Sequence, residues 1–270
     1  MVQNFYNGLL SPEKGNGKPL SPKSIKNVHV VFHKALEQAV KVGYLPSNPS
    51  NACKPPPRIV KKELKPLDKD QIAAFIKAIQ GHPQERLFKI TLFTGLREGE
   101  VLGLTWDCVD FENSVLLVKQ QVRREHFKGG TVYFSSPKNN KSRVLSLPPS
   151  VLELFRLQKS QQDSMRQMAG SAWIDSNLVF TNPLDDFLPA RTVYNRFKRV
   201  VAEIGAPSTR FHNLRHTAVS ALVGGDDIKT VRENLGHATA AFTLDVYCHA
   251  TGQMKRNSAD RMEDFIQSVS

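Results

Sequence analysis

Four residues near the C-terminal end of the chain combine a nucleophile with groups that activate it. Between Phe211 and Ala250 the sequence places His212, Arg215, His237 and Tyr247. A phenol has an ordinary pKa of about 10 and is a poor nucleophile near neutral pH. Neighbouring imidazoles can take up and return protons, and a guanidinium can hold an anion through two parallel hydrogen bonds. These residue types therefore favour attack of a tyrosine on a phosphodiester.

The charge of the chain agrees with a phosphodiester substrate. The 270 residues carry a net charge of +12, and 40% of them are hydrophobic, which is enough for a packed core. Such an excess of positive charge favours a polyanionic partner, because neutralised phosphates release counterions. A merely basic surface is the alternative. A membrane surface would attract the same charge, but the sequence contains no apolar run long enough to span a bilayer and no apolar signal segment after Met1.

The cysteines and histidines favour neither a disulfide framework nor a metal site. Cys53, Cys108 and Cys248 are far apart and form no Cys-x-x-Cys pair, so a reducing, cytoplasmic location is expected. His212 and His216 are four residues apart, as zinc ligands can be. However, the glutamate of a metalloprotease motif is missing between them, and the intervening arginine would repel a dication. We expect no metal and no cofactor.

Proline-rich residues 46–66 divide the chain into two parts. Before them, Ser21 and Pro22 mark the start of a helix, and residues 1–45 are too short for more than a partial helical module. The basic, proline-rich stretch is either a strap along a nucleic-acid backbone or a solvated linker. Residues 67–270 form the predicted catalytic domain.

The pattern of residues 67–270 predicts a mainly α domain with a small antiparallel β-sheet, an α+β class. Asp68 caps one helix, and a second helix after Pro83 has Leu87, Ile90 and Phe93 on one face. Alternating segments from residue 114 to residue 147 predict strands, and helical patterns resume at 149–168 and 190–201.

Six motif positions in this domain resemble those of the tyrosine recombinases, specifically the integrases of phages and mobile elements. The motifs are TGLREGE, SPKNNKSRV, HNLRH, LGHA and LDVYCHA, in the order that the family has. Any one of them alone is a weak signal, but all six positions in register are highly specific. The resemblance is strong from about residue 67 to residue 250. It also implies that the chain begins inside the core-binding domain, as if truncated at its N-terminus.

The resemblance implies roles for the nucleophile and for the two residues that hold the phosphate. Tyr247 would attack the scissile phosphorus and form a 3′-phosphotyrosine. Arg97 and Arg215 would bind the non-bridging oxygens and offset their developing charge. Glu100, one helical turn after Arg97, either orients a neighbouring basic group or is solvated. His216 is expected to be structural.

The resemblance also implies the groups that move protons. Lys138 would be the general acid for the leaving 5′ oxygen, although Lys141 in the same loop is an alternative. His212 would help to take the proton from the tyrosine, and His237 would hydrogen-bond the phosphate.

The function implied is site-specific DNA recombination, integrating or excising a mobile element. In family terms the partners are double-stranded DNA, three further copies of the chain, and DNA-bending accessory proteins, on the bacterial nucleoid. Both domains and the linker would form a clamp around duplex DNA, and the C-terminal segment 257–269 would dock on a neighbouring copy or fold back on its own domain. Two alternatives remain: a truncated DNA-binding remnant that does not recombine, and a strand transferase like the type IB topoisomerases.

Overall fold

A computed structural model describes residues 1–11, 18–54, 66–125, 130–137 and 141–223 of the chain. The chain divides into two compact units, residues 1–63 and residues 64–270. Among the described residues, no helix is both long enough and apolar enough to cross a membrane.

The described residues of the first unit contain two helices, α1 (Val2–Leu10) and α2 (Pro22–Lys41). The start of α2 is the predicted one: the Ser21 hydroxyl accepts a hydrogen bond from the backbone N–H of Ser24 at 3.2 Å. Tyr6 and Ile25 are fully buried between the helices, and the Tyr6 hydroxyl lies 3.0 Å from Nδ1 of His29. The two helices thus form a small packed body.

The first part of the predicted linker folds against α2. Asn48 and Ser50 are buried, and Asn48 Nδ2 donates to the Glu37 carboxylate at 3.0 Å. The Ser50 hydroxyl lies 2.8 Å from Nδ1 of His33. Residues 46–54 have no helix or strand, but they belong to the first unit through these contacts. Residues 55–65 lie outside the described part.

The second unit is mainly helical. Its described helices are α3 (Lys69–Ala78), α4 (Glu85–Thr94), α5 (Glu98–Leu102), α6 (Pro149–Ala169), α7 (Ala190–Glu203) and α8 (Phe211–Val223). Asp68 caps α3 as predicted, with its carboxylate accepting the Gln71 N–H at 2.8 Å while the Gln71 side chain accepts the Asp68 N–H. Gly95 ends α4 in a left-handed conformation with φ of 65°, which a glycine adopts without steric cost.

In the described part of the chain, five short antiparallel strands follow α5: β1 (Val109–Asp110), β2 (Val115–Val118), β3 (Gln121–Arg124), β4 (Val132–Ser135) and β5 (Arg143–Ser146). They form two sheets instead of the predicted single one. Among the described residues, β2 lies between β1 and β5, and β3 pairs with β4 in a separate sheet. The α+β fold class is confirmed.

Aromatic rings join four of the helices into one core. The ring of Phe88 on α4 lies 5.9 Å from that of Phe197 on α7, and Phe197 lies 5.4 Å from Phe211 at the start of α8. Phe75 on α3 completes the cluster. This core fixes α4 and α8 against each other; Arg97 follows the end of α4, and α8 carries Arg215.

Candidate active site

Arg97 and Glu100 form the first part of the site, at the start of α5. The backbone N–H of Arg97 donates to Oε2 of Glu100 at 2.9 Å, and Nη1 of Arg97 donates to Oε1 at 2.7 Å. The Glu100 side chain is fully buried, whereas the Arg97 side chain is 20% exposed. Glu100 therefore orients a neighbouring basic group, which is the first of the two roles that the sequence left open.

Arg143, the first residue of β5, binds the same Glu100 carboxylate. Its Nη1 and Nη2 donate to the two oxygens of Glu100 at 3.0 and 2.7 Å, a two-point pair of the kind that arginine geometry favours. Burial alone would raise the pKa of Glu100. Hydrogen bonds and charge from Arg143, and then those from Arg97, outweigh burial and lower that pKa to about 2. Glu100 is therefore ionised at neutral pH.

Arg215 enters the site from α8. It is only 1% exposed, and its Nη1 donates to the carbonyl oxygen of Gly95 at 2.6 Å. This bond links α8 to the end of α4, two residues before Arg97. Burial, and then the charge of Arg97, lower the pKa of Arg215 to about 9, so its guanidinium remains charged at neutral pH.

Two histidines lie on α8 beside Arg215. His212 is exposed and His216 is buried, and their rings meet edge to face with centroids 4.7 Å apart. Burial, and then the charge of Arg215, lower the pKa of His216 to about 4, so its ring is neutral above pH 5. The exposed ring of His212 is thus the one that a substrate can reach.

Close backbone packing holds α5 in place. A Cβ atom on Gly103 would lie 2.6 Å from the backbone nitrogen of Val122 on β3, so no larger residue fits there without a shift. On the same strand, Gln121 donates from Nε2 to the carbonyl oxygen of Ser136 at 2.7 Å. This hydrogen bond fixes the backbone at Ser136, two residues before Lys138.

Some of the predicted site residues lie together in the structure, and others lie outside its described part. Arg97 and Arg215 share one cluster, and His212 lies on the same helix as Arg215. Lys138, His237 and Tyr247 lie outside the described residues.

One residue of the cluster, Arg143, was not expected from the sequence. Among the described residues, the cluster combines three guanidinium groups with the buried carboxylate of Glu100, so positive charge is in excess there. An anion such as a phosphodiester would offset that charge.

Comparison with known proteins places the chain in a family. Residues 65–254 match the phage integrase family. A XerC-like tyrosine recombinase of Caldanaerobacter subterraneus subsp. tengcongensis is 29% identical, over 98% of this chain and 70% of the relative. The ICEBs1 integrase of Bacillus subtilis is 27% identical, over 92% of this chain and 67% of the relative.

Solved structures show the same fold. The Tn1549 transposon integrase in complex with a circular intermediate DNA aligns with a TM-score of 0.76 and 26% identity, covering 96% of this chain and 84% of that one. The XerH recombinase bound to its palindromic difH substrate aligns with a TM-score of 0.67 over 96% of this chain and 72% of that one, at 20% identity. This chain therefore belongs to the phage integrase family, the tyrosine recombinases, whose members cleave and rejoin DNA strands.

Proposed function

We propose that the protein cleaves DNA at specific sites by attack of Tyr247 on a scissile phosphorus. The bond from the tyrosine oxygen to phosphorus forms as the bond from phosphorus to the 5′ oxygen breaks. The products are a 3′-phosphotyrosine and a free 5′-hydroxyl. A 5′-hydroxyl from a second DNA strand reverses the same steps and completes strand exchange, so the reaction needs neither metal nor nucleotide cofactor.

The observation that carries this proposal is the arginine cluster around Glu100. A phosphoryl group in its five-coordinate state has charge on its non-bridging oxygens, and fixed positive groups stabilise that charge better than mobile water does. Arg97 and Arg215 supply such groups, because buried contacts to Glu100 and Gly95 fix their positions. Loss of one such donor typically costs about 3–4 kcal/mol of transition-state stabilisation.

The proton transfers fall to the remaining predicted residues. His212, exposed at the cluster, would accept the proton of the Tyr247 hydroxyl, and Lys138 would give a proton to the leaving 5′ oxygen. His237 would hydrogen-bond the phosphate. General acid and base groups of this kind contribute roughly 10²–10⁴-fold each.

The domain assignments and partners follow from the same proposal. Residues 1–45 would be a partial core-binding module, residues 46–66 a linker, and residues 67–270 the catalytic domain. Double-stranded DNA is the substrate; the similar proteins whose structures contain DNA, together with the net charge of +12, support this assignment. Strand exchange would use four copies of the chain on two DNA sites, with DNA-bending accessory proteins, in the bacterial cytoplasm on the nucleoid.

Covalent trapping tests the proposal. The protein is incubated with nicked duplexes built from the DNA that flanks its own gene; the nick lets the 5′-hydroxyl fragment diffuse away, so that the adduct accumulates. Denaturing electrophoresis should show a protein–DNA adduct with the native protein and none with Tyr247→Phe. Tyr44→Phe is the matched control, since Tyr44 is 84% exposed in the other unit and should leave the adduct unchanged.

Two results would contradict the proposal. An adduct that survives in Tyr247→Phe would mean that another residue is the nucleophile. DNA binding without any adduct would favour a DNA-binding remnant that does not recombine.

A further inference from the structure

We propose that Arg143 is a positioning residue for DNA cleavage, acting on the phosphate-binding Arg97 through the carboxylate that the two arginines share. The proposal rests on the phosphotyrosine chemistry proposed above and adds a residue to it. Arg143 does not belong to the six motif positions, and its position at the start of a strand gives it no obvious role in chemistry.

The first support is the unequal way in which the two arginines bind Glu100. Arg143 engages both carboxylate oxygens with its two terminal nitrogens, and its side chain is only 8% exposed. Arg97 reaches one oxygen with a side-chain nitrogen and is 20% exposed. Arg143 is therefore the principal counter-ion of Glu100, and Arg97 is the arginine that a bound phosphate can reach.

The second support is the position of the pair in the fold. Glu100 lies on α5, which begins directly after Arg97, whereas Arg143 begins β5 and pairs across the sheet with Val118. The ion pair therefore joins the helix that presents Arg97 to a strand of the three-stranded sheet. Such a link restricts how Arg97 can move relative to the sheet.

Removing the Arg143 charge would leave Glu100 with fewer cationic partners. A buried carboxylate needs a counter-ion, because taking a charge out of water is costly. Arg97 directly precedes the helix of Glu100 and already contacts its carboxylate, so its guanidinium would be drawn further onto the carboxylate and away from the phosphate. Displacements of about 1 Å in such groups cost on the order of 10²-fold in rate.

Single-turnover cleavage measured with saturating protein tests the proposal. Arg143→Met, which keeps the side-chain length and loses the charge, should lower the rate constant for adduct formation on the order of 10²-fold. The dissociation constant for DNA, measured by mobility shift, should change little. Arg143→Lys should recover part of the rate, because a lysine keeps the charge but not the two-point pair. Arg166→Ala is the control, since Arg166 forms an exposed ion pair with Asp175 and should cleave normally.

A substrate with sulfur in place of the scissile 5′ oxygen distinguishes loss of the general acid from loss of charge stabilisation at the non-bridging oxygens. A thiolate leaves without being protonated, so this substrate should restore cleavage to Lys138→Ala, which lacks the general acid. The Arg143→Met defect should persist on it, because Arg97 acts on the non-bridging oxygens. Restoration of Arg143→Met by the sulfur substrate would overturn the proposal.

A double-mutant cycle tests whether Arg143 acts through Glu100. Glu100→Gln combined with Arg143→Met should be no slower than the slower single variant, because both changes break the same link. If the rate loss of the double variant equals the product of the two single losses, Arg143 does not act through Glu100. Both cleavage tests use the native protein as reference, so absence of an adduct with native protein would reject the proposed function itself. Normal native cleavage with an unaffected Arg143→Met would reject only the role of Arg143.

Discussion

The buried carboxylate of Glu100 should make the stability of the second unit depend on pH in a specific range. The ordinary pKa of this group is 4.5 and its pKa in the folded protein is about 2. At 1.36 kcal/mol per pH unit, the difference corresponds to about 3 kcal/mol of folding free energy. Breaking a buried ion pair typically costs about 3–5 kcal/mol, which is the same order. We therefore expect Glu100→Gln to destabilise the unit by about 3 kcal/mol at neutral pH.

The direction of the pH effect follows from the lowered pKa. A carboxylate with a depressed folded-state pKa contributes its full stabilisation above pH 4.5 and loses it as pH falls toward 2. The difference in unfolding free energy between native protein and Glu100→Gln should thus be constant above about pH 5 and shrink below pH 4.5.

Urea unfolding followed by tryptophan fluorescence measures this difference. Both tryptophans of the chain, Trp106 and Trp173, lie in the second unit, so their emission reports on that unit alone. Glu153→Gln is the matched control, because Glu153 forms an exposed ion pair with Arg156 at 3.4 Å and should contribute little. Equal stability of native protein and Glu100→Gln at neutral pH would refute the reasoning. So would a difference in unfolding free energy between the two proteins that stays constant down to pH 3.

Three further predictions concern individual contacts. His216, whose pKa burial and Arg215 lower from 6.5 to about 4, should show constant imidazole proton shifts in NMR spectra between pH 5 and 8. Because the folded-state pKa of His216 is depressed, the contribution of this neutral ring to stability is complete above pH 6.5 and declines as pH falls toward 4. An NMR titration midpoint near pH 6.5 would contradict the burial of His216. Gly103→Ala should destabilise the second unit by roughly 1–3 kcal/mol in urea unfolding, because the new Cβ would lie 2.6 Å from the Val122 nitrogen; an unchanged midpoint would mean that α5 moves freely. Asp68→Ala should cost about 1 kcal/mol by the same measurement, and no change would show that the capping box is dispensable.

Features set by a few adjacent residues were predictable from the sequence. The cap at Asp68 and the start of α2 at Ser21 depend on local backbone chemistry, and both occur where the pattern predicts them. Phe93 was expected on the buried face of α4, yet it is 45% exposed. Residues around most of this helix are buried, so the spacing of apolar residues does not identify a single inner face.

The partner of Glu100 could not be predicted from local pattern, because it lies 43 residues away on β5. A signal was nevertheless present. Side chains alternate between the two faces of a strand, so Arg143 shares a face with Leu145, which is buried, whereas Val144 between them is 56% exposed. A charged residue on the inner face of a strand requires a buried counter-ion, and Glu100 was one of the few acidic candidates within the motifs.

The hydrogen bond from Arg215 to Gly95 has a consequence for the evolution of this chain. The same guanidinium that is proposed to bind the phosphate also satisfies a carbonyl group at the end of α4, within the folded core. Selection for folding alone would therefore retain an arginine at position 215 in a descendant that no longer cuts DNA. An intact Arg215 is poor evidence that a sequence of this kind is active, whereas loss of the more exposed Arg97 would be the earlier sign of decay.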